Sequence, residues 1–241
     1  MQKLIIQSQS TSIGDYAFYA CNALITVDVI ENSTNSKTSV IGEYAFFGCT
    51  VLQNAPIHNN IVEIGEDAFW NCTSLISVII PKSVEKIGEC AFYGCTGELE
   101  VNCANISQGA FKFSCFSKIV INDNVKIIDK SAFEGIDNIT EIVIPDSVTR
   151  IEYGAFKNCD QLTKITIGKN VTYIGQSALY SEDGAISTIY SKAVTPPTLV
   201  NIIHNSQKVF FIYVPTESVS AYKSTSYWSR YKDYIFAYDF E

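Results

Sequence analysis

An Ala-Phe pair returns along this chain at a nearly fixed interval, and that recurrence leaves few folds open. It stands at Ala17-Phe18, Ala45-Phe46, Ala68-Phe69, Ala91-Phe92, Ala110-Phe111, Ala132-Phe133 and Ala155-Phe156, then as Ala178-Leu179. The steps between the alanines are 28, 23, 23, 19, 22, 23 and 23 residues. A period in the twenties marks a solenoid of stacked coils. One coil cannot bury its apolar face alone, so its neighbours complete the core. A chain of 241 residues could hold two globular domains, but repetition favours one continuous stack.

Within a coil the apolar positions keep a fixed phase. Leu75, Val78 and Ile80 precede Pro81; Val84 and Ile87-Gly88 follow, then Ala91-Phe92 and Cys95. Ile139, Ile142, Ile144, Pro145, Val148, Ile151, Ala155-Phe156 and Cys159 fill the same slots. The Val-x-Ile piece predicts a short strand, because alternation and β-branching suit a pleat with one buried side. Proline ends it, having no N–H for the ladder. The Val-x-x-Ile-Gly piece predicts a turn with a second short strand, Gly88 and Gly175 supplying a permissive backbone there, although Asp129 and Glu152 fill the same slot in other coils. The Ala-Phe-x-x-Cys piece predicts one or two helical turns, with alanine close to the sheet and phenylalanine inside.

The register has local faults. Glu31 to Ser39 is a Ser/Thr/Asn-rich insertion and predicts a surface loop. His58 takes a proline slot, and the coil from Thr96 to Phe111 is short by about four residues. Residues 1–190 carry the repeats, the first coil truncated, and 191–241 form an atypical terminal coil and cap of the same domain. There Val209 to Pro215 repeats the strand. Val219, Tyr222, Tyr231, Tyr234 and Ile235 have helical spacing and predict an amphipathic helix that lids the open end. Met1 lies twelve residues before Ile13, as Leu75 lies before Ile87, so the chain is expected to be a segment of a longer precursor. The absence of a signal peptide then says nothing about compartment.

Composition narrows function by exclusion. Net charge is -8 with no basic stripe, which argues against nucleic acid and anionic membrane surfaces as partners. No run reaches the roughly 18 apolar residues of a membrane span. Five of the eight cysteines, Cys21, Cys49, Cys72, Cys95 and Cys159, stand four residues after the marker alanine. Ser114 and Ile136 hold that slot elsewhere, and a slot open to isoleucine is not a metal-ligand slot. A buried column of mostly free thiols is expected, with a pair among Cys90, Cys103 and Cys115 left open. The two histidines, His58 and His204, sit in loops away from any nucleophile and acid. No phosphate-binding glycine loop and no zinc spacing occur.

The run Ser83-Val-x-x-Ile-Gly-x-x-Ala-Phe-x-x-Cys-x-x-Leu-x-x-Val-x-Ile-Pro, assembled from coils at 64–95 and 132–167, resembles the BspA-type leucine-rich repeat. The tail, Tyr213-Val-Pro-x-x-Ser218-Val-x-Ala-Tyr222-Lys with Trp228-Ser, resembles an ending common among that family's proteins from gut and oral anaerobes. The resemblance implies an α/β solenoid, a right-handed superhelix with parallel strands on the concave side and short helical turns opposite. It also implies a bacterial surface or secreted protein, of a kind associated with adhesion to host matrix and with bacterial co-aggregation. The family defines no catalytic residues and no cofactor.

Between the inward residues of successive strands, spacing places Asp28, Pro56, Ile79, Val120, Val143 and Thr166 on the concave face. Ile79, Val120 and Val143 are the candidate docking strip for a partner. β-branched residues also favour strands for their own sake, so the strip has a purely structural reading beside the functional one. The leading expectation is a non-catalytic, monomeric module that binds a protein or glycan on a host or neighbouring bacterial surface. A spacer that projects another domain is the alternative, and a hydrolase a remote third. A parallel β-helix is the rival fold, and the helical turns are the feature expected to separate the two.

Overall fold

Two columns of short parallel strands follow from the two β-branched pieces of each coil. The computed structural model describes residues 2–8, 12–31, 38–181, 186–201 and 210–240. One column is built from the Val-x-Ile pieces, for example Ser77–Ile80, Glu98–Val101 and Lys118–Ile121. The other is built from two-residue strands such as Lys86–Ile87, Asn105–Ile106 and Ile127–Ile128. Every pairing is parallel and joins a coil to the next, as in Ile142 with Ile165 and Ile151 with Ile174. Between the columns lies one continuous core. Phe18, Phe46, Phe69, Phe92, Phe111, Phe133 and Phe156 stack along it at centroid distances of 5.1 to 5.4 Å. Ring pairs of this kind add about 1 kcal/mol each beyond their burial.

The Ala-Phe-x-x-Cys segments depart from the expected helical turns. Asp67, Phe69 and Asn71 donate their amides to the carbonyls of Glu89, Ala91 and Tyr93 in the next coil. The amides between them, Ala68, Trp70 and Cys72, turn back to Gly65, Asp67 and Phe69. An α-helix closes every such bond within itself and could not share alternate amides with a neighbour. Asp67 and Asn71 sit at φ 53° and 56°, which lets the chain zigzag as a ribbon of turns. Among the described residues the α-helix is Val219–Ser224 alone. Circular dichroism would therefore not distinguish this stack from a β-helix, contrary to expectation.

The conserved phase of glycine has a cause other than backbone freedom. A Cβ on Gly88 would lie 2.2 Å from the amide nitrogen of Glu66, and one on Gly65 2.5 Å from that of Glu43. The coils touch there through bare backbone. At Gln53 to Pro56 the long-strand column is interrupted. Pro56 is buried, not outward as its spacing implied. In place of a ladder, the Asn54 side chain accepts from the Val27 amide at 3.1 Å and donates to the Val27 carbonyl at 2.8 Å. A side-chain amide thus imitates the peptide group that a proline-ended segment cannot present.

All eight cysteines are free, including Cys90, Cys103 and Cys115. The thiols of Cys49, Cys72, Cys95 and Cys159 donate to the carbonyls of Phe18, Phe46, Phe69 and Phe133, one coil back. Burial pushes the Cys49 and Cys159 thiols up to about 12. The insertion after Glu31 lies largely, and His204 wholly, outside the described residues.

The terminal coil is a strand, Phe211–Pro215, then the short helix between two 3-10 segments, Thr216–Ser218 and Trp228–Tyr234. The chain then adds a strand that the helical spacing concealed, Ile235–Tyr238, parallel to Phe211–Pro215. Ile235 belongs to that strand and not to a helix. The lid itself is Tyr222 and Trp228, both fully buried. The Tyr222 hydroxyl donates to the Ala193 carbonyl at 2.9 Å and is hydrogen-bonded to Ser191 Oγ at 2.7 Å. Trp228 donates its indole N–H to the Pro197 carbonyl at 2.8 Å.

Candidate binding surface

The outer face of the long-strand column is where alternate residues of each strand leave the core. Ile79, Val120 and Val143 all point outward, exposed to 52%, 38% and 57%. They do not form one uninterrupted strip. In register, Ile79 stands beside Glu100, and Glu100 beside Val120. Asn102 and Asn122 donate to the Glu100 carboxylate, which is thereby fixed in the middle of the row. Between Lys118–Ile121 and Glu141–Val143 opens a cleft of about 600 Å³ with Val120 and Val143 on its two walls.

Beyond the cleft the row continues through Thr166, Tyr190, Tyr213 and Phe236. Here the outward side chains become aromatic. Tyr190 stacks on Tyr213 at 5.0 Å and meets the Tyr238 ring edge-on at 5.0 Å. Phe211 lies 5.9 Å from Phe236, and Phe240 4.8 Å from Tyr238. The result is a solvent-facing aromatic cluster at the C-terminal end of the sheet. The helical spacing of Val219, Tyr222, Tyr231, Tyr234 and Ile235 conceals this cluster in the sequence. Tyr190, one residue after the inward Ile189, occupied the outward slot of a strand and was the available signal.

Beside the aromatic row runs a charged one. Lys118 pairs with Glu98 at 3.4 Å and Lys164 with Glu141 at 3.1 Å. These pairs are exposed and contribute at most about 1 kcal/mol each. A groove of about 340 Å³ adjoins the cluster, lined in part by Lys169, Lys192, Glu217, Tyr238 and Phe240. Such a face offers apolar rings with polar edges, which suits an amphipathic partner surface. His58 is half-buried on its turn. Among the described residues no group of His, Cys, Asp or Glu could hold a metal ion. No helix among them is long and apolar enough to cross a membrane.

Fold and surface together define a repeat solenoid whose differences between coils lie on its outside. The BspA type leucine rich repeat region matches residues 1–101 and 98–206, in six copies, and the chain belongs to that family. A leucine-rich repeat protein of T. pallidum is similar in structure at 21% identity and TM-score 0.46, over 72% of this chain and 78% of that one. One from Bacteroides ovatus is similar at 19% identity and TM-score 0.47, over 90% of this chain and 64% of its own length. A leucine-rich cell surface protein of Faecalibacterium prausnitzii is similar at 18% identity and TM-score 0.35, over 86% and 80%. No curated protein matches the sequence.

Proposed function

We propose that this chain is a non-catalytic binding module of a bacterial surface or secreted protein, which holds a protein or glycan partner on the outer face of its long-strand sheet. The observation that carries the reading is the solvent-facing row from Val143 through Tyr190 and Tyr213 to Phe236, where the repeat itself asks only for an outward residue. Exposed apolar groups in contiguous patches on monomers mark interaction sites more often than single ones do. The family and the bacterial surface proteins of similar architecture support the setting.

The test is surface plasmon resonance of the immobilised chain against panels of host matrix proteins and of bacterial and host polysaccharides. Two variants go beside it: Ile79, Val120 and Val143 each to Glu, and Tyr190, Tyr213 and Phe236 each to Ser. A true partner should be captured by the parent and lost by at least one variant, with the far-ultraviolet spectrum unchanged. A spacer captures nothing from either panel. Capture that survives both variants means that this face is idle.

A further inference from the structure

The turn ribbon carries a second surface, on the first four coils. The residue after each marker Phe points outward, and there it is Tyr19, Phe47, Trp70 and Tyr93. Their rings stack in a ladder at 5.0, 5.9 and 3.7 Å. Tyr16 and Tyr44 stack beside it at 4.9 Å, and tilted contacts of 5.8 Å to Tyr19 and Phe47 join the two columns. Tyr16 and Tyr19 are 56% and 48% exposed. Phe113, at the far end, is exposed although its φ is 54°, in a slot that Gly48, Asn71, Gly94 and Gly135 fill elsewhere. Solvent access is kept there at the cost of strained backbone.

The repeat does not require these rings. In the following coils the same slot holds Lys112, Glu134 and Lys157. Those side chains neutralise one another, Glu134 meeting Lys112 at 3.4 Å and Lys157 at 3.7 Å. The aromatic half of the ribbon is therefore a local feature laid over a fold that stands without it.

What lies alongside decides the partner. A groove of about 500 Å³ runs past the residues that precede Tyr16 and Tyr44 in the chain, lined by Asp15, Glu43, Glu63, Glu66, Glu89 and Lys86 among others. Lys86 is paired with Glu63 at 2.6 Å, while among the described residues Glu43, Glu66 and Glu89 form no salt bridge. Asp67 stands between acids and rings. Burial first, then the charges of Glu66 and Glu89, push its carboxyl up, and its own charge pushes the Tyr44 hydroxyl up. These three carboxylates stand on successive coils, whose backbones lie roughly 4.8 Å apart.

The geometry points to an extended, Lys/Arg-rich peptide segment as the occupant of this surface. Its cationic heads would meet the carboxylate column, and its methylene stems would lie across the ring ladder, since such side chains carry an apolar stem below a charged tip. This surface is separate from the sheet face, so either can fail without the other.

The probe is an oligoarginine peptide of about eight residues, long enough to span several coils at roughly 3.3 Å per residue. Binding to the full chain is read by calorimetry and by tryptophan emission, compared between the parent and a Trp70→Phe variant because the buried Trp228 also emits. The expected result is saturable binding with a change in Trp70 emission. The exposed-acid variant E43Q/E66Q/E89Q should weaken it about tenfold or more, and the charge-neutral ring variant F47Q/Y93Q by a similar factor. The control E85Q/D123N/D233N removes the same charge elsewhere and should bind as the parent does. Equal weakening by the control would reduce the effect to general attraction by an acidic chain and overturn the proposal. So would parental binding by the acid variant, or by a ring variant whose melting curve is intact. A parent that does not bind overturns it outright.

Discussion

The cysteine slot shows how little the solenoid asks of a side chain and how sharply it rewards the right one. Cys49, Cys72, Cys95 and Cys159 each cap a phenylalanine carbonyl one coil back. Ser114 holds the same slot, and its buried hydroxyl has no partner. A thiol at this position would reach further, its C–S bond being longer than the C–O bond of serine. Ser114→Cys should therefore stabilise the chain by about 1 kcal/mol, the worth of one hydrogen bond restored, measured by urea unfolding. The same thiols fix a pH dependence. The folded chain, by burial, keeps the Cys159 proton up to about 12, whereas the unfolded chain releases it near a thiol's ordinary value of 9.0. Unfolding thus releases protons above pH 9, so stability is complete below that and falls as pH rises toward 12. Melting temperatures should drop across that window. Cys159→Ile, which copies Ile136, should lessen the drop by one thiol's share, with Cys49 still contributing.

At the scale of the element, the strand pieces were legible because alternation with β-branching has one structural meaning in a buried stack. The turn ribbon was not, because Ala-Phe-x-x-Cys places its apolar residues at helical spacing while its hydrogen bonds go to the next coil. Period alone cannot tell where an amide finds its carbonyl. Glycine after a short strand, as at Gly65 and Gly88, makes room for a neighbouring backbone, a reason that spacing does not reveal. Gly88→Ala should cost about 3 kcal/mol, since the obstacle at 2.2 Å is the Glu66 backbone, which cannot rotate away. Gly14, with nothing within 4 Å of its missing Cβ, should accept alanine at less than about 0.5 kcal/mol. A pair of denaturation curves checks both.

For the whole molecule, stability is a sum over neighbours, so damage stays local. Trp228 closes the C-terminal end and is fully buried. Trp228→Ala should cost about 4 kcal/mol. Hydrogen exchange should then rise in Lys164–Ile167, Thr188–Ser191 and Phe211–Pro215 while Ser77–Ile80 and Glu98–Val101 stay protected. Equal exposure of every coil would mean that the stack melts as one unit and not from its end.

The sequence by itself determined that coils of about 23 residues share one core, because in the regular coils a side chain's phase within the repeat sets whether it faces in or out, Pro56 being an exception. It also placed Ile79, Val120 and Val143 on the outside. Only the tertiary structure decided what stands next to what: Glu100 between two of them, a cleft before the third, and the Tyr190 cluster beyond. It likewise set the ladder of Tyr19, Phe47, Trp70 and Tyr93 against the acids of neighbouring coils. These neighbours are some twenty residues apart along the chain and one coil apart in space. Their adjacency depends on register between coils, which local sequence pattern does not encode.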